Sequence, residues 1–198
     1  MPLSEKNFNN IKIHTQFSIC EGAIKIDELA EYCKLNKIKS LGLADSLNLC
    51  GALEFSEKLS KVGTHPIIGT QINLKTKDAI GKITLYAKSE TGFKNLTKLS
   101  SLSYISSKAS EDPYCEIDDL IKNNEDLILL TGSHRDFFGK LFNFNKNREF
   151  KEVLSLLKKN FNKRVYFEIQ RHGEREEKNY ENYVLNNSKN LDIPLIAS

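Results

Sequence analysis

Polar residues recur in this chain just behind short apolar runs. His14 follows Asn10-Ile11-Lys12-Ile13, Asp45 and Ser46 follow Ser40-Leu41-Gly42-Leu43-Ala44, and Gln71 lies within residues 66–74. Ser133 and His134 come after Leu127-Ile128-Leu129-Leu130, and His172-Gly173 after Val165-Tyr166-Phe167-Glu168-Ile169. Histidines and carboxylates are the side chains that hold metals and move protons near neutral pH. If the apolar runs are strands of one α/β sheet, their carboxyl ends form the face where such folds build active sites. The pattern then describes a polar rim around one pocket. Loops at strand ends are polar in any α/β protein, so the rim alone names no reaction.

The elements that must carry this rim alternate along the chain. Residues 10–13, 40–44, 66–74, 83–87, 127–130, 165–169 and 193–197 read as strands. Between them, Ile26, Leu29, Ala30 and Cys33 share one helix face, as do Ala52, Phe55 and Leu59 within residues 51–61. Phe93, Leu96 and Leu99 form a further apolar stripe, then Leu120 and Ile121. The strongest stripe is Phe150, Val153, Leu154, Leu157 and Phe161, followed by Tyr180, Tyr183, Val184, Asn187 and Leu191. Residues 106–113 read as a surface loop. This alternation predicts a mostly parallel sheet with helices outside, open or closed into a barrel.

Composition narrows the setting. The 198 residues fit one domain, and the 39% hydrophobic share is enough for a core. No apolar run approaches the roughly 20 residues that span a bilayer. The opening Met1-Pro2-Leu3-Ser4-Glu5-Lys6 lacks the apolar centre of a secretory signal, so a cytoplasmic location is expected. Of 29 basic residues only five are Arg (135, 148, 164, 171 and 175), a poor supply of the forked side chains that grip phosphates. Cys20, Cys33, Cys50 and Cys115 show no zinc-type spacing and read as small core residues. The chain stops within an apparent strand at Ser198, so residues 1–198 are expected to be one domain, incomplete at its C-terminal end.

Several segments, in order, resemble the polymerase and histidinol phosphatase (PHP) domain family, most closely the version that opens bacterial DNA polymerase III alpha subunits. They are Ile13-His14-Thr15-Gln16-Phe17-Ser18 with Glu21-Gly22-Ala23; Gly42-Leu43-Ala44-Asp45 with Asn48-Leu49-Cys50-Gly51-Ala52; and Pro66-Ile67-Ile68-Gly69. Leu85-Tyr86-Ala87-Lys88 with Gly92-Phe93-Lys94-Asn95-Leu96, and Leu127-Ile128-Leu129-Leu130-Thr131-Gly132, follow. Tyr166-Phe167-Glu168-Ile169-Gln170 with His172-Gly173, and Ile193-Pro194-Leu195-Ile196-Ala197-Ser198, complete the series. The resemblance implies a distorted seven-stranded β/α barrel, here truncated at its C-terminal end. In active members three divalent metals at the strand ends activate water to cut phosphoesters.

The ligand positions implied by that resemblance are largely altered. Lys12 stands for the first His of a His-x-His pair, Ser46 for the His after Asp45, and Gln71 for a carboxylate. Lys82 replaces the His opening the fourth strand, and Ser133 replaces a Cys or His. Only His14 and Glu21 keep a ligating type; two further ligand positions fall past Ser198. An ammonium has no lone pair and repels a divalent cation. The expectation is therefore a vestigial site with no catalytic residue and no metal, in which Lys12 or Lys82 neutralises Glu21, Asp45 or both.

As the resemblance implies, the parent subunit synthesises DNA with magnesium and carboxylates beyond Ser198. This domain would hold the polymerase together and dock its proofreading exonuclease subunit, epsilon. The rivals are an active metal-dependent phosphoesterase or 3′→5′ exonuclease, and a DNA-binding surface. Among the remaining candidates, His65 reads as part of a solvated turn, and His134 as a ligand only if the register shifts by one. His172 reads as a rim or turn residue, and the tyrosines of the last helix as core or interface.

Overall fold

The computed structural model describes residues 8–198, so the Met1–Lys6 opening lies outside the described residues. Six strands form the path of one curled sheet: β1 (Ser40–Ser46), β2 (His65–Lys75), β3 (Ile80–Ala87), β5 (Leu127–Leu130), β6 (Val165–Ile169) and β7 (Leu195–Ala197). A seventh, β4 (Cys115–Glu116), pairs with β2 to the side. The curl makes a half-barrel, in keeping with the β/α barrel expected from the sequence. All neighbours are parallel except β3, which runs antiparallel to both β2 and β5. The cause is local: only residues 76–79 join β2 to β3, and Thr76 and Ala79 bond to each other across that turn. A parallel return would need a crossover of a dozen or more residues. The reversal puts Lys82, near the start of β3, opposite Asn73 near the end of β2, and so at the strand-end rim.

Residues 10–13, expected as a first strand, lie beside β1 with a single parallel bridge at Ile13 and Leu43. Gly42 donates to the Asn10 carbonyl, and Ile13 donates to the Gly42 carbonyl. The contact is close enough to demand glycine, since a Cβ at Gly42 would stand 1.9 Å from the Ile11 carbonyl oxygen.

Helices cover the outside. α1 (Ile26–Asn36) and α2 (Ala52–Lys61) pack the expected stripes against β1, burying Ile26, Leu29, Ala30, Cys33, Ala52, Phe55 and Leu59. The larger core lies under α3 (Glu90–Ser106), α4 (Ile117–Lys122), α5 (Phe137–Asn143), α6 (Asn147–Phe161) and α7 (Glu177–Leu191). All five apolar residues of the α6 stripe are buried. Ala44, Tyr86 and Leu130 fill the inside of the curl, where the Tyr86 hydroxyl donates to the Ile11 carbonyl at 2.7 Å.

Some expectations are corrected. Phe93 is 39% exposed on α3 rather than inward, because that helix turns only Leu96 and Leu99 fully to the core. His65 is exposed but begins β2 instead of occupying a turn. Cys33 and Cys115 are core residues as expected, whereas Cys20 and Cys50 are exposed in loops. The short elements β4 and α5 are additional. α5 brings Phe137 and Phe138 into the centre of the core, and Phe138 meets the Phe137 and Phe150 rings edge-on at 5.2 Å.

That packing yields a direct expectation. Phe138→Ala removes a fully buried ring and should lower unfolding free energy by about 3–5 kcal/mol. Phe93→Ala, on a half-exposed ring, should cost well under half of that. Urea melts of the two variants check the ordering.

Candidate functional site

Asp45 anchors the strand-end face. Its carboxylate accepts from the Thr15 backbone N–H at 2.6 Å, the Thr15 hydroxyl at 2.7 Å and the Ser18 hydroxyl at 2.6 Å. These donors tie the loop after residue 13 to β1, with Asp45 fully buried. Of the two carboxylates expected to meet a lysine, Glu21 does so, whereas Asp45 is stabilised by neutral hydroxyl and amide donors. Ser18 also accepts from the Ser46 amide and lies 3.4 Å from Nδ1 of the part-buried His14.

Around this anchor, Glu21, Ser46, Gln71 and Lys82 form one network. The Lys82 ammonium pairs with Glu21 and donates to the Ser46 hydroxyl at 3.0 Å. Ser46 contacts both Glu21 and, at 3.2 Å, Gln71 Oε1. Gln71 in turn reaches the Thr84 hydroxyl at 3.4 Å. Desolvation works against the Glu21 anion, but the Lys82 and Ser46 hydrogen bonds outweigh it and hold its carboxyl below the usual range. Burial chiefly, and the Lys12 ammonium next, keep His14 below its ordinary value, against the opposing pull of Glu21.

Lys12 has a partner that the sequence reading did not name. Its ammonium lies 3.0 Å from Glu168 Oε1 on β6, with side chains only 8% and 0% exposed. Gln170 Nε2 donates to the same oxygen at 2.6 Å, and the Ser198 hydroxyl joins them. The available signal was a lone acid within the apolar run Val165–Ile169, since an unpaired carboxylate rarely occupies a buried strand. Ser133 stands apart from the other altered positions. Its amide and hydroxyl both bond Asp136, turning the chain into α5. His134 is buried and pairs with Glu174, while His172 is exposed and contacts Gln170. Tyr180 is core, and Tyr183 is half-buried between the Phe142 and Phe150 rings.

The residues present do not fit a three-metal centre. Two ammonium groups stand where the resemblance implies nitrogen lone pairs, and Lys82 is bonded to Glu21, one of the two residues of ligating type. Ser46 and Gln71 are neutral and engaged with one another. The site can neutralise charge and brace strand ends; it offers no visible route to metal-activated water.

The two ion pairs differ in burial, and so should their energies. Lys12→Met strands Glu168 in the interior and should cost about 3–5 kcal/mol, partly regained in Lys12→Met/Glu168→Gln. Lys82→Met breaks a half-exposed pair and should cost about 0–1 kcal/mol. Thermal melts of the three variants check this; equal losses from the two lysines would contradict the burial argument.

A pH dependence follows from His14. Below its ordinary value of 6.5 the unfolded chain takes up a proton that the folded chain resists. Stability is therefore complete above that pH and declines as pH falls through the folded value. His14→Gln should flatten this part of a stability–pH curve measured by urea denaturation. The Glu21 contribution should persist to lower pH and vanish only below about 4.5, as the carboxylate is protonated.

Comparison with known proteins agrees with this architecture. The profile of the PHP domain matches residues 10–172. DNA polymerase III subunit alpha of Vibrio cholerae is 28% identical over 199 residues, covering 99% of this chain and 17% of that protein. Its counterpart in Caulobacter vibrioides is 32% identical, covering 98% and 18%, and that of Rickettsia felis is 34% identical, covering 96% and 16%. The chain thus spans under a fifth of these relatives. Among solved structures, a Bifidobacterium adolescentis protein described as a metal-dependent phosphoesterase superposes with a TM-score of 0.63 at 12% identity. It covers 96% of this chain and 86% of that one. A two-domain PHP-like protein from Bacteroides vulgatus gives 0.56 at 9% identity, over 95% and 50%. With the profile spanning most of its length and such relatives along nearly all of it, the chain belongs to the PHP domain family, alongside the domains found in DNA polymerase III alpha subunits.

Proposed function

We propose that this chain is the N-terminal PHP domain of a DNA polymerase III alpha subunit, acting as a structural and docking module rather than a hydrolase. The observation that carries this is the occupation of the strand-end pocket by the Lys12–Glu168 and Lys82–Glu21 pairs. A pocket filled by ion pairs braces the curled sheet and offers a rigid face to partners, while lacking the electrophile that phosphoester hydrolysis needs. Similarity to alpha subunits supports a parent that extends DNA primers with magnesium in the cytoplasm, through residues outside this chain. The partners on this reading are the rest of that polymerase chain, through it DNA, and the proofreading exonuclease subunit, epsilon. No helix among the described residues is long and apolar enough to cross a membrane.

The alternative, an active metal-dependent phosphoesterase or 3′→5′ exonuclease, draws on His14 and Glu21 and on the superposition with a protein described by that activity. The two readings separate in one assay. With manganese or zinc added, the 198-residue chain should release no more product from single-stranded DNA or nitrophenyl phosphate than its His14→Ala variant does. Turnover that disappears in His14→Ala would replace the structural reading with the enzymatic one. In parallel, gel filtration should show co-elution with the proofreading subunit from the same cell; independent elution removes the docking role.

A further inference from the structure

The turn that reverses β3 has a second consequence, on the outside of the sheet. Residues 76–79 join β2 to β3 directly, so that connection supplies no crossover helix. α2 and α3 flank the strands instead and leave a groove of about 650 Å³ between them. Pro66 and Ile68 of β2 and Ala87 at the end of β3 form its floor, all of them only part-buried. Leu53 of α2 and Phe93 of α3 stand at its sides, 73% and 39% exposed. Leu96 and Leu99, the other members of the Phe93 stripe, are fully buried. The Phe93 ring is the part of that stripe which the core does not use.

The surroundings define what fits. β2 is paired with β1 and β3, and β3 with β2 and β5, so the floor offers no free strand edge. A segment lying there must satisfy its own backbone groups, as a helix does. On α3, Phe93, Thr97, Ser100 and Tyr104 fall at i, i+4, i+7 and i+11 and share one uncharged face. That face runs about 16 Å, the length of three helical turns. Charge gathers at one end. Lys88 follows the last residue of β3, His65 opens β2, and the His65 amide donates to the Lys39 carbonyl at 2.8 Å. All three side chains are exposed, and among the described residues none has an ion-pair partner. Glu90, the acid in the lining, is already paired with Lys94 at 2.7 Å. The groove is therefore apolar along its length and cationic at one end.

We propose that this groove is the docking face of the domain and takes an amphipathic, acidic helical segment of a partner protein. The helix lays apolar side chains against Leu53, Ile68 and Phe93. Its carboxylates lie at the end that meets Lys39 and Lys88. The apolar contacts hold the segment, and the lysines steer it and fix its direction. The cationic end is at the start of β2, at the opposite end of the sheet from Ser46 and Gln71, so docking leaves the strand-end pocket untouched. The inference rests on the docking role proposed above and adds a place and a chemistry to it.

A phage library of random peptides of roughly 15 residues, panned on the 198-residue chain, tests this. Enriched peptides should carry apolar residues three or four apart and a net negative charge. The best of them, synthesised, should gain helical circular dichroism on binding and shift the backbone amide signals of Leu53, Ile68, Ala87 and Phe93. Leu53→Glu keeps a good helix former at an exposed position and should weaken binding by roughly tenfold or more. Lys88→Glu should weaken it several-fold, with a loss that shrinks at high salt. Several results would overturn the assignment: no enrichment, enrichment of basic sequences, or peptides that bind Leu53→Glu and Phe93→Glu as well as the parent. So would a concentration-dependent dimer in sedimentation that Leu53→Glu dissolves, which would give the groove to a second copy of this chain. Gel filtration separates the groove from the docking role. Peptide binding alongside independent elution of the proofreading subunit keeps the groove and removes only that partner. Co-elution that is equally strong with Leu53→Glu keeps the docking role and removes the groove.

Discussion

The Lys12–Glu168 pair joins the segment beside β1, one end of the curled sheet, to β6, the strand next to its other end. Lys12 belongs to the segment hydrogen-bonded to β1, and Glu168 to β6, so the contact closes across 156 residues of sequence. Between these strands the sheet runs through β2, β3 and β5. Both side chains are nearly sealed from water, and desolvation makes each ion costly unless the other is present. The pair therefore acts as a conditional lock, rewarding only the curl that brings these strands face to face. Gln170 and Ser198 bond the same carboxylate and draw the start of the β6–α7 loop and the end of β7 into the lock.

Charge balance explains why the altered pocket still folds. A set of carboxylates at strand ends repels itself unless cations stand among them. Here the cations are side chains of the chain itself, Lys12 and Lys82. Lys82 reaches Glu21 because β3 reverses direction and delivers its first residues to the rim. Asp45 takes the other route, saturating its oxygens with hydroxyl and amide donors. Both solutions draw their partners from the chain itself.

The helices and most strands were legible because their signals are local. The α6 stripe, the α1 stripe and the runs at 127–130 and 165–169 match the described elements and their buried faces. Short elements were not legible: β4 has two residues, and α5 has seven with aromatic residues that suit either state. Phe93 shows that periodicity gives a face without giving its depth. At the site, residue identities placed two lysines among carboxylates but did not reveal their pairing. That Lys12 meets Glu168 rather than Glu21 or Asp45 depends on how far the sheet curls, which no window of sequence records. The His134–Glu174 pair was hidden for the same reason, since two separate loops assemble it.

An ammonium group can balance carboxylate charge without supplying the chemistry of a metal. A divalent ion accepts lone pairs, so it can bind water, lower its pKa and present hydroxide to phosphorus. An ammonium only donates hydrogen bonds and leaves a nearby water neutral. One substitution does not change this. Lys12→His would leave Glu168 unpaired in the interior, and Lys82 would still hold Glu21. A buried carboxylate without its cation is costly, so such a change lowers stability before it adds a ligand.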